Sequence, residues 1–126
     1  MSIAALTVIS NSMQELQISY EFGVWTQEPV YPYFVGEYTE TPPLNEDGMQ
    51  ETSFLLTGFT RGEWFDLEEA KEKIEKHFNK VSGKTVIADG GSVVAVFYSN
   101  ALVVPTGEAE LKRIQINLIV KEWSVN

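Results

Sequence analysis

The residues that could do chemistry are few. One histidine, His77, stands among 126 residues, and there is no cysteine at all. Disulfides, thiolate chemistry and cysteine-type zinc sites are thereby excluded. A histidine base needs a nucleophile and an orienting group, and no Ser or Cys is evidently paired with His77. Its place in the last turn of a predicted helix suits a cation at the negative end of the helix dipole, so it reads as a helix-end residue. Glu40, Asn45, Glu46 and Asp47, with Gly48, offer hard oxygen ligands, but their spacing is not the alternation of a calcium loop. They read as a solvated acidic loop. Asp89-Gly90-Gly91 lacks both the Gly-x-Gly-x-x-Gly register and a following helix, so it reads as a hairpin turn and not as a phosphate cradle. Among 18 acids nothing singles out a carboxylate pair for glycoside chemistry. The expectation is a protein with no catalytic, cofactor-binding or metal site.

Charge and aromatic content carry more information. The net charge is −9, and no Lys or Arg precedes Arg61, although eight acids do. Such a field repels phosphate backbones, which disfavours nucleic acid as a direct partner and favours basic protein surfaces. Tyr20, Phe22, Trp25, Tyr31, Tyr33, Phe34 and Tyr38 crowd the same half of the chain. Aromatics beside an acidic loop serve as anchors of protein interfaces or simply as core, and the sequence leaves both readings open. Met1 to Leu16 has no basic leader and is interrupted by Ser10, Asn11 and Ser12, so neither a signal peptide nor a membrane span is expected there, and the protein is expected in the cytoplasm.

These groups must be positioned by one domain, because 126 residues with 44% hydrophobic and 21% charged content suit a single core. Ile3, Leu6, Ile9, Met13 and Leu16 recur at helical spacing and predict a short N-terminal helix. Ile18, Tyr20 and Phe22 alternate as a short strand within Gln17–Trp25. Tyr33–Thr41 and Glu51–Thr60 predict two strands joined by a long acidic loop at about residues 41–50. Leu67, Ala70, Ile74, Phe78 and Val81 form one stripe of a long amphipathic helix, with Asp66 as its cap, Glu69 completing a capping box, and Phe65 stapled onto Ala70. Then come Lys84–Ala88, a nearly unbroken apolar run Ser92–Ser99 that should be central, Ala101–Pro105, and Leu111–Trp123. The last strand alternates cleanly until Ile119 and Trp123 interrupt its polar face, so that face needs a cover, from the N-terminal helix or from a neighbouring subunit. The fold class is α+β, with a mostly antiparallel or mixed sheet of roughly four to six strands.

The order of parts, a short helix, the strand Pro32-Tyr33-Phe34-Val35, the loop Pro42-Pro43-Leu44-Asn45-Glu46-Asp47-Gly48, the strand Thr52–Phe59, the helix from Leu67, then Val103-Val104-Pro105 and the β run Arg113–Trp123, resembles the tail terminator or head–tail joining proteins of long-tailed phages and prophages. The resemblance implies a structural morphogenesis protein and no enzyme. It implies a homo-oligomeric ring, expected to be a hexamer, that caps the tail tube in the host cytoplasm and stays in the virion tail. Its partners would be the tail-tube protein and a head-completion protein, with loop 41–50 ordering against a neighbour and an acidic lumen letting DNA pass. Glu40, Asn45, Glu46, Asp47, Gly48, Tyr31, Tyr33, Tyr38 and Trp123 are the expected interface residues. The competing expectation is an acidic monomeric inhibitor or immunity-type protein that masks a basic partner.

Overall fold

A computed structural model describes residues 1–40, 48–88 and 90–123. The chain runs α1 (Ile3–Glu15), β1 (Tyr20–Phe22), β2 (Tyr33–Glu40), β3 (Met49–Thr60), α2 (Trp64–His77), β4 (Lys84–Ile87), β5 (Val93–Val104) and β6 (Lys112–Trp123). The strands make one six-stranded sheet in the order β1-β2-β3-β6-β5-β4, parallel between β1 and β2 and antiparallel elsewhere. The class is α+β with a mixed sheet, as the alternating and helical periods predict.

Both helices lie on one side of the sheet. Phe34 on β2, Phe54 and Leu56 on β3, Ile114, Ile116, Leu118 and Val120 on β6, and Val94, Val96 and Tyr98 on β5 form one cluster with Ala5, Val8, Ile9 and Met13 of α1 and Leu67, Ala70 and Ile74 of α2. The packing is close enough to need glycine opposite an aromatic ring. Gly58 faces Phe34 across β2–β3, and a Cβ there would sit 2.4 Å from the ring; one at Gly36 would sit 2.6 Å from Phe54. Glycine in a strand interior marks such an approach.

Several boundaries differ from the sequence reading. The second helix is not the one long helix expected, since it has 14 residues against 13 in α1. It spans Trp64–His77 and not Leu67–Val81. Glu63 holds the N-cap position without a side-chain bond, so Asp66 is not the cap, and Phe65 is 69% exposed, so there is no staple. The helix stops early because Asn79 folds the chain back: its Oδ1 accepts the amides of Val81 and Ser82, and Gly83 follows at φ +65. Val81 is left 88% exposed.

In α1 the buried stripe is Ala5, Val8, Ile9, Ser12 and Met13, whereas Ile3 of the expected stripe is 83% exposed. Ser2 caps the helix, its hydroxyl accepting the amide of Ala5. The rotation is tolerable because His77 Nε2 lies 3.0 Å from Ser12 Oγ and satisfies the one polar group it buries. The expected strands 92–99 and 101–105 are one strand with a bulge between Tyr98 and Asn100. β5 is next to the edge, and β3 and β6 are the central pair, matched over twelve residue positions.

Candidate binding surface

Residues paired across neighbouring strands point to the same face, so the register assigns the second face row by row. Tyr33, Phe59, Arg113 and Val104 form one row, and Val35, Thr57, Gln115 and Leu102 the next. Glu37, Leu55, Asn117 and Asn100 follow, then Thr39, Ser53, Ile119 and Phe97. Met49, Trp123, Val93 and Ile87 close the far end. Among the described residues no helix lies over this face, and its aromatic and aliphatic side chains are only partly buried by one another. Ile119 and Trp123, whose cover the sequence left open, are not covered by α1, which packs on the other side.

One end of the face is a stack of rings. Trp25 lies over Tyr33 with centroids 4.8 Å apart, Tyr33 over Phe59 at 5.3 Å, and Tyr31 against Tyr33 at 5.8 Å. Trp25 is held in place by its indole N–H, which donates to the carbonyl of Glu28. Between the stack and β6 runs a shallow groove of about 440 Å³, bordered by Val24, Val35, Arg113 and Gln115. Arg113 donates through Nη2 to the Pro105 carbonyl at 2.8 Å, while its Nε is buried without a hydrogen-bond partner among the described residues. Beside the stack the Tyr31 hydroxyl and then Glu108, 3.6 Å from the guanidinium, hold the pKa of Arg61 above its ordinary value. Farther along, Lys121 extends over the Phe97 ring, 5.5 Å from its centroid. A surface with large rings, aliphatic rows and a few fixed charges suits burial against another protein.

The expected interface residues do not all meet. Tyr31 and Tyr33 belong to the stack, but Trp123 lies ten positions along β6 from Arg113, a separation of roughly 33 Å in an extended strand. Tyr38 points to the helix side, where it stacks on Phe22 at 6.0 Å. Glu40 pairs with the N-terminal ammonium of Met1, and Gly48 enters β3 at φ +80. Asn45, Glu46 and Asp47 lie outside the described residues. The seven-residue aromatic cluster is thus divided. Phe34 is core, Tyr20 and Phe22 belong to the helix layer, and Trp25, Tyr31 and Tyr33 border the open face. Phe59, Phe97 and Leu55 stand on this face too, and their alternation against Phe54 and Leu56 or Val96 and Tyr98 is the sequence signal for it.

The hydrogen bond between Ser12 and His77 is a partner that the sequence did not suggest. Burial, opposed by Glu15 and assisted by Lys84, lowers the pKa of His77, which favours the neutral ring. Ser12 is only 4% exposed, and neither residue lines a groove described here. The pair ties α1 to α2. Among the described residues no three His, Asp or Glu gather to hold a metal, and no helix is long and apolar enough to cross a membrane. No family model matches the chain, and no curated protein matches it.

Proposed function

We propose that this chain is a non-enzymatic assembly protein that seats the open face of its sheet on other protein subunits. In its most specific form the reading is a phage tail-completion protein: a ring, expected to be hexameric, at the head-proximal end of the tail tube, contacting the tube subunit and a head-completion protein. One observation carries it. The second face of the sheet bears Tyr33, Phe59, Leu55, Phe97, Ile119 and Trp123 with no helix of the described chain over them, and large apolar groups are seldom left together in water.

Light scattering after size exclusion, with and without tail-tube protein, tests the proposal. The expected result is an oligomer or a co-eluting complex that the double variant Phe59→Glu/Ile119→Lys disrupts at least tenfold in apparent affinity. A strict monomer at every concentration that also ignores tube protein would refute it.

A further inference from the structure

Among the described residues, one side of β1 and the part of β5 beyond β4 have no strand beside them. On one edge the Ser19 carbonyl accepts the Phe34 amide and the Gly23 amide donates to the Gly36 carbonyl. By alternation, Tyr20 and Phe22 of β1 turn their amides and carbonyls away from β2. On the other edge β4 covers only Val93–Val96 of β5. Tyr98, opposite Leu118, donates its amide away from β6 to the Phe78 carbonyl at 2.6 Å. Past the bulge, the residues opposite Ile116 and Ile114 fall in the same phase, so Ala101 and Val103 also turn their backbone groups outward, where the described chain supplies no strand.

An uncharged edge from Asn100 to Val104 is a feature that native sheets usually blunt with Lys, Pro or a cover. Here the stretch is bounded by the bulge at Tyr98/Asn100 and by Pro105, and each edge adjoins an apolar groove. Ile3, Leu6 and Phe22 line one of about 280 Å³ beside β1. Trp64, Val103, Pro105 and Leu111 line one of about 400 Å³ beside β5.

Charge separates the two edges. Residues 1–40, which build α1, β1 and β2, carry five carboxylates and no Lys or Arg. Residues 78–123, which build β4, β5 and β6, carry five bases against four acids. Two β1 edges would repel, each bringing Glu21. The free stretch of β5 is itself uncharged and lies against Lys112 and Arg113 of β6, with Glu108 beside them, so a β1 edge meets less like charge there than on a second β1 edge. We infer that the free stretch of β5 receives the β1 edge of a second copy, head to tail, continuing the sheet from one molecule into its neighbour. Phe22 and Val103 both lie on the helix side of their strands, so such pairing places them in one layer. This inference rests on the assembly reading above and names the neighbour at the edge. Head-to-tail contacts of this type close into rings or extend as filaments.

The absence of native cysteine makes the test clean. Phe22→Cys and Val103→Cys, at positions 47% and 53% exposed, are made separately and together and treated with a short bismaleimide. Ile3→Cys, in the same groove as Phe22, repeats the test without touching the Phe22–Tyr38 stack. The expected result is at least ten times more linked dimer from the mixed single variants than from either alone, and a ladder of sizes from the double variant. Val103→Cys linking to itself as readily as to the β1-edge variants would overturn the inference in favour of a two-fold contact. No linkage in a chain that scatters light as an oligomer would overturn it while leaving the assembly reading intact; no linkage in a strict monomer would overturn both.

Discussion

Replacing Gly58 by Ala probes the close approach of β3 to the Phe34 ring. The methyl group would stand 2.4, 2.5 and 2.9 Å from Cε2, Cζ and Cδ2 of Phe34, a fully buried ring beneath the helices. Overpacking of this type costs about 1–3 kcal/mol. Restricting the unfolded chain by the same substitution returns about 0.4–1 kcal/mol. The expected net loss is therefore on the order of 1–2 kcal/mol, from the difference between those two effects. Urea unfolding measures it as a lower midpoint with an unchanged slope. In a Phe34→Leu background the clashing ring atoms are gone, so Gly58→Ala should there be neutral or mildly stabilising, a coupling of about 1–2 kcal/mol. Tyr33 and Phe59 adjoin the two residues in sequence and stack on the opposite face at 5.3 Å, so the single variant should also weaken assembly. A cost within about 0.3 kcal/mol, additive with Phe34→Leu, would refute the packing argument, since independent sites add to within that margin.

His77 has its pKa lowered from 6.5 by burial. The unfolded chain therefore takes up the proton first. The contribution of the neutral ring to stability is complete above pH 6.5 and shrinks as pH falls toward the lower folded value; melts on either side of pH 6.5 should show this slope, and His77→Gln should flatten it. Gly83→Ala meets both a left-handed backbone at φ +65 and the Phe97 ring 2.6 Å from its Cβ, so thermal melts should show a loss of at least about 1–2 kcal/mol from the backbone alone. Phe59→Glu/Ile119→Lys, on a face that no helix of the described residues covers, should change monomer stability far less than the roughly 3–5 kcal/mol expected of Phe54→Ala in the core; chemical unfolding compares the two.

Much of the framework could be read from periodicity. Leu67, Ala70, Ile74 and Phe78 are buried as their spacing predicts, and β6 alternates as written, because one covered face imposes period two. The ends of α2 could not be read so well, since Val81 keeps the helical phase while Asn79 turns the chain away. In α1 the buried stripe includes Ser12 in place of Ile3, and the partner of its hydroxyl, His77, lies far along the chain where helical spacing cannot show it. The surface was harder still. Tyr33 and Phe59 are adjacent through strand register, a property of the pairing and not of either segment. Which face the helices choose is likewise invisible until both strands are aligned.

The position of β6 between β3 and β5 has a consequence for synthesis. A nascent chain can form the β2–β3 and β4–β5 hairpins as soon as each is made, yet the two have no common ladder until the later segment slides between them. A ribosome stalled, or a gene cut, before Lys112 would therefore release two sticky half-sheets, each with its longest strand bare and prone to clump with its own kind.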